Sequence, residues 1–150
     1  MTDNQANTVA LVTGASSGIG QAIALALSGT GASVALVGRR ADRLDALAGK
    51  IRDAGGTALS IPADLTSSAG AAQVVERTIE AFGRLDTLVN AAGLMLNGPS
   101  IESPLHEWDQ MIDINLRGLV YITKAALPHL VAAVSTSPRS VVDVINISSV

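Results

Sequence analysis

The chain has 150 residues, enough for one domain with its own core. Hydrophobic residues make up 48% and charged residues 15%, which excludes a disordered segment, and the 2% of aromatics leave an aliphatic core. A net charge of −3, no basic run beyond two residues, no cysteine and only two histidines argue against nucleic acid, disulfides and any dedicated metal site.

Residues 1–7 are polar and lack the layout of a signal peptide, and no apolar run reaches membrane-spanning length, so a soluble, cytoplasmic protein is expected. The spacing predicts a strand over 9–12, a helix over 18–28 and a second strand over 33–37. Residues 40–53 are amphipathic, with Leu44, Leu47 and Ile51 at helical spacing, and Gly55-Gly56 stops them. A third strand over 57–61 turns at Pro62-Ala63-Asp64. Thr66 or Ser67 caps the next helix, which runs to about Phe82 with Val74, Val75 and Ile79 on one face. A fourth strand is predicted over 85–89, a long helical region over 104–130 in one or two pieces, a loop over 135–139 and a fifth strand over 141–147.

Strand–helix alternation of this kind specifies an α/β fold: a doubly wound parallel sheet with helices on both faces and right-handed crossovers. No internal repeat or domain boundary is visible, so residues 1–150 read as one domain. The last residues close an apolar strand with no helix to cover it. A natural fold seldom stops on such an edge, so the domain is expected to be incomplete on its C-terminal side.

Thr13-Gly14-Ala15-Ser16-Ser17-Gly18-Ile19-Gly20 joins the first strand to the first helix. Glycine there gives free φ and close approach to a ligand. The helix start offers bare N–H groups and the positive end of its dipole, and a pyrophosphate suits both. The other reading is a tight turn chosen for packing. At the end of the second strand stand Gly38-Arg39-Arg40, with no acid before Asp42. Folds that prefer NAD place an acid there for the ribose 2′-OH, whereas guanidinium groups pair with a 2′-phosphate. This favours NADP(H) over the alternative, a solvated basic pair.

Taken with Asn90-Ala91-Ala92-Gly93 after the fourth strand, Asn115 within Asp113-Ile114-Asn115-Leu116-Arg117-Gly118, and Ile147-Ser148-Ser149 after the fifth, the glycine turn gives a chain that resembles the short-chain dehydrogenase/reductase family over nearly its whole length. The resemblance implies a three-layer α/β/α Rossmann fold and an oxidoreductase. Hydride would pass between NADP(H) and a small carbonyl or secondary alcohol substrate. Gly14, Ser16, Ser17, Gly18, Ile19 and Gly20 would line the pyrophosphate, and Arg39, supported by Arg40, would meet the 2′-phosphate. Asp64 and Leu65 would flank the adenine. Asn90, Ala91 and Gly93 would pass beside the cofactor ribose. Asn115 would hold a water in a proton relay, and Ser149 would bond the substrate oxygen. Read without the family, Asp64 forms a turn, Asn90 caps a strand end and Asn115 is a surface residue.

The family's Tyr-x-x-x-Lys motif lies beyond the serine, and the sequence ends first. Its only tyrosine, Tyr121, has Ala125 four places on and Lys124 three places on, so it is no substitute. The chain alone is therefore expected to be inactive. The alternative from another class is a non-catalytic dinucleotide-binding module. A nucleotide-fold methyltransferase would want an acid where the arginine pair stands. The family further implies a homo-oligomer, a dimer or tetramer, and the apolar run 118–130 is expected to bury two faces against the core and a partner. No nucleic acid, membrane or metal is expected.

Overall fold

The computed structural model describes residues 6–148. Five parallel strands, β1 (Val9–Thr13), β2 (Ser33–Gly38), β3 (Thr57–Pro62), β4 (Thr87–Asn90) and β5 (Asp143–Asn146), form one sheet in the order β3-β2-β1-β4-β5. The chain winds outward from β1 to β3, then crosses back to lay β4 against the other side of β1. That reversal opens a crevice at the carboxyl ends of β1 and β4.

The central strands are buried on both faces, which is why they read as continuous apolar runs. Side chains alternate. Leu11, Ala35, Val37 and Leu88 enter one layer with Val74 and Val75 of α3 (Ser68–Phe82) and Ile122, Ala126 and Leu130 of the last helix. Val12, Val34, Leu36 and Val89 enter the other, with Ala24 of α1 (Gly18–Gly29) and Leu44, Leu47, Ala48 and Ile51 of α2 (Ala41–Asp53). Each fully buried leucine or isoleucine contributes about 2 kcal/mol by the area it removes from water.

Ser67, not Thr66, caps α3: its hydroxyl accepts from the Gly70 N–H at 3.0 Å. β4 starts two residues later than its apolar pattern suggests. Leu85 and Asp86 are fully buried and lead into the strand, whose paired register with β1 begins at Thr87. β5 is likewise shorter than predicted, four residues flanked by the turn at Ser140.

The long helical region comes in three parts: α4 (Leu105–Ile112), a π-helical turn (Asp113–Arg117) and α5 (Gly118–Ala133). α5 buries one stripe at helical spacing: Gly118, Ile122, Ala126, Leu130 and Ala133. Along its other face Val120, Leu127 and Val131 are exposed, the last by 68%, as are Trp108 and Ile112 of α4. No helix among the described residues is long and apolar enough to cross a membrane.

The lower end of the sheet is tied by one buried charge. Asp86 Oδ2 accepts from the Val9 N–H at 2.9 Å, and both its carboxylate oxygens accept from Arg84, at 2.8 and 2.7 Å. Arg84 also donates to the Thr136 carbonyl, and the Asp143 N–H donates to the Asp86 carbonyl. One side chain and its backbone thus clip β1, β4 and β5 together. Burial opposes ionisation of Asp86, yet the Arg84 hydrogen bonds, the Val9 N–H and the Arg84 charge together hold its carboxyl below the ordinary value of 3.8.

Candidate active site

The crevice encloses about 880 Å³, within the range of small-molecule sites. Gly14, Ser16, Ser17, Gly18, Ile19, Gly20, Arg39, Arg40, Asp64, Leu65, Asn90, Ala91 and Gly93 all line it. Residues from four separate stretches therefore converge at the ends of β1, β2, β3 and β4. Thr66, Ile114 and Leu119 line it too, and sequence reading gave them no part in the site.

The turn from β1 into α1 is wedged. Gly14 has φ +67°, and a Cβ there would stand 2.6 Å from the Ala91 carbonyl oxygen. A Cβ on Gly20 would stand 2.4 Å from the Gly14 carbonyl oxygen. All those neighbours are backbone, so they cannot swing aside. The helix start is thereby brought against both the turn and the end of β4. Nothing lies within 4 Å of where a Cβ would stand on Gly18, which is the open mouth of the turn. Ser17 occupies the N-cap position, but its hydroxyl makes no cap bond. The first-turn amides of α1 lack intrahelical partners, as at every helix start, and the residues that carry them, Gly18, Ile19 and Gly20, line the crevice.

The end of β2 is held by backbone. The Ala15 N–H donates to the Val37 carbonyl at 3.1 Å, and the Ala63 N–H donates to the Gly38 carbonyl at 2.9 Å. The two arginines differ. Arg40 Nη2 donates to the hydroxyls of Ser16 (2.9 Å) and Ser17 (2.7 Å), and its Nε to Ser16 (3.3 Å). Arg39 is exposed, and among the described residues it forms no hydrogen bond or ion pair. Asp64 makes a turn, its Oδ1 accepting from the Thr66 N–H (3.0 Å) and hydroxyl (2.8 Å). Those two bonds outweigh slight burial and, with the nearby Arg39 charge, lower its pKa.

On the β4 side the Thr13 hydroxyl, buried at the end of β1, accepts from the Ala91 and Ala92 N–H groups at 3.1 Å each. Sequence reading gave Thr13 no role. Its signal is a polar β-branched residue closing an otherwise apolar strand. Asn90 Nδ2 donates to Thr123 Oγ1 (3.1 Å) on α5 and to Asn146 Oδ1 (2.9 Å) on β5, fixing where those elements meet.

Asn115 sits in the π turn, not in regular α-helix. Its Oδ1 accepts from the Leu94 N–H and its Nδ2 donates to the Leu94 carbonyl, both at 2.8 Å. One extra residue in the turn swings this side chain toward the loop after β4, a common use of such bulges. Its amide is spent holding that loop, and it does not line the crevice itself, although Ile114 and Gly118 do. Ser149 lies outside the described residues. Among those residues no group of three His, Cys, Asp or Glu side chains could hold a metal ion.

Comparison with known proteins agrees with this fold. The profile of the short chain dehydrogenase family matches residues 8–150. An uncharacterized oxidoreductase of Staphylococcus epidermidis is 41% identical over 122 residues, 81% of this chain and 52% of its own length. One from Staphylococcus saprophyticus is 42% identical over 123 residues, covering 81% of this chain and 53% of its own. The chain thus spans about half the length of the curated relatives it matches. A solved metagenomic short-chain oxidoreductase in complex with NADP superposes with a TM-score of 0.86 at 39% identity, over 97% of this chain and 63% of that one. A double mutant of a Serratia marcescens short-chain dehydrogenase/reductase gives 0.81 at 38%, over 85% of this chain and 52% of that one.

Proposed function

Because the chain belongs to the short-chain dehydrogenase family, we propose that its crevice binds NADP(H) and that the protein moves hydride between this cofactor and a small carbonyl compound or secondary alcohol. The residues present fit such a cofactor. A cradle whose walls are backbone, closed to any Cβ at Gly14 and Gly20 and open at Gly18, suits a pyrophosphate pressed on the first-turn amides of α1. The observation that carries the preference for NADP(H) is the exposed guanidinium of Arg39, with no ion-pair partner among the described residues and no acid at the end of β2. The NADP bound to a structural relative supports the same reading.

Gly14, Ser16, Ser17, Gly18, Ile19 and Gly20 would hold the pyrophosphate, and Arg39 the 2′-phosphate, with Arg40 behind it. Asp64 keeps Oδ2 outside the bonds to Thr66, available to the adenine amino group, with Leu65 beside the ring. Asn90, Ala91 and Gly93 would border the ribose. When bound, the nicotinamide supplies or accepts the hydride. The chain's part is to orient that ring and exclude water. Asn115 would serve a proton relay indirectly, by fixing the loop after β4 through its two bonds to Leu94. Ser149 would hydrogen-bond the substrate oxygen. The exposed apolar faces of α4 and α5 suit a homo-oligomer, and the protein would act in the cytoplasm.

A fluorescence titration tests the cofactor. NADPH is expected to bind at least about tenfold tighter than NADH, since one charge-assisted pair on the 2′-phosphate is worth 1.5 kcal/mol or more. Arg39→Ala should bring the two affinities together. Equal affinities in the unsubstituted protein would refute the role given to Arg39.

A further inference from the structure

Among the described residues two helices have a serine at the N-cap, Ser17 and Ser67, and the two behave differently. At α3 the Ser67 hydroxyl accepts from the Gly70 N–H, three residues on, as an N-cap serine ordinarily does. At α1 the Ser17 backbone is also extended, with φ −170° and ψ 170° against −113° and 140° at Ser67, yet its hydroxyl takes no amide. It accepts instead from Arg40 Nη2 at 2.7 Å, while the same guanidinium holds Ser16 through Nη2 and Nε. By the Ser67 example, a released Ser17 hydroxyl would take the Gly20 N–H, one of the amides that face the crevice.

We propose that Arg40 is a positioning residue that holds Ser17 off its own helix and so keeps the start of α1 free for the anion. This rests on the dinucleotide reading of the crevice, and it gives the arginine pair a division of labour. Arg39 meets the cofactor's extra phosphate, and Arg40 prepares the seat for the pyrophosphate that NADH and NADPH share. The guanidinium suits the task because its planar fork reaches two hydroxyls at once, which an ammonium does with less geometric constraint. A ligand arriving at an already capped helix would first have to break the cap.

A double-mutant cycle on the protein tests this with NADH as probe, because NADH lacks the 2′-phosphate. Arg40→Met is expected to weaken NADH binding about fivefold beyond its cost in the Ser17→Ala background, the worth of one N-cap bond. Loss of attraction from the guanidinium charge acts in both backgrounds and cancels in the cycle. Amide exchange without cofactor supplies the second reading. The Gly20 amide should exchange about fivefold more slowly in Arg40→Met than in the unsubstituted protein, and the slowing should vanish when Ser17→Ala is added. Equal costs of Arg40→Met in both backgrounds, or an unchanged Gly20 amide, would overturn the proposal. Failure of the protein to bind either nucleotide would instead remove the dinucleotide reading, and the exchange experiment would still decide whether Arg40 restrains Ser17.

Discussion

Gly14→Ala is expected to destabilise the protein by about 3 kcal/mol and to weaken NADPH binding by more than about a hundredfold. Two costs add in the fold. The backbone there has φ +67°, which a side chain strains, and the new methyl would lie 2.6–2.7 Å from backbone atoms of Ala91 and Ala92. Neither partner can turn away, so the end of β1 must separate from the end of β4. That movement carries the first-turn amides of α1 out of line with a pyrophosphate. Losing two hydrogen bonds to a charged group, at about 1.5 kcal/mol each, accounts for the hundredfold. Urea unfolding and nucleotide titration of the same variant read the two effects separately. Wild-type stability with wild-type affinity would mean that the turn and β4 are not in contact.

Asp86→Ala should cost about 3 kcal/mol, because it strands the buried Val9 N–H and dissolves a hydrogen-bonded ion pair. Asp86 is completely buried and Arg84 mostly so, which spares the pair the screening that weakens surface pairs. The effect should depend on pH in one direction. The folded protein holds this carboxyl below the ordinary 3.8, so the unfolded chain binds the proton first. Its stabilising contribution is complete above the ordinary carboxylate range and fades as pH falls below 3.8 toward the folded value. The stability gap between the unsubstituted protein and Asp86→Ala, measured by urea unfolding, should be constant near neutrality and narrow in acid. A gap that widened in acid would show the carboxyl to be held above its ordinary value.

Local patterns carried most of the fold. The five apolar runs, the helical spacing of Leu44, Leu47 and Ile51, and the glycines of the first turn each reflect interactions within a few residues. What escaped depends on residues far apart. The carboxylate of Asp86 looked like part of a strand, since its value arises only when Val9, 77 residues earlier, meets it. A trace was present: Arg84 and Asp86 are two apart in extended chain and so fall on one side. Thr13 serves Ala91 and Ala92 across 78 and 79 residues, and Asn90 reaches Thr123 across 33, so neither bond has a local signature. The π turn was invisible for a different reason. Its sequence carries no glycine or proline to mark a break in a helix, and the bonds between Asn115 and Leu94 hold the extra residue in place. The glycine turn and the arginine pair stood out because each signal lies within a few neighbouring residues, although the contrast between Arg40, bonded to Ser16 and Ser17, and the unbonded Arg39 emerged only from the folded geometry.

Amide hydrogen exchange with and without saturating NADPH asks most directly whether the start of α1 is where the dinucleotide sits. The Gly18, Ile19 and Gly20 amides are expected to exchange markedly more slowly with NADPH present, while amides at the opposite end of the sheet, near Gly55 and Gly83, stay unchanged. Saturable NADPH binding that left the Gly18–Gly20 amides exchanging at their free rate would contradict it.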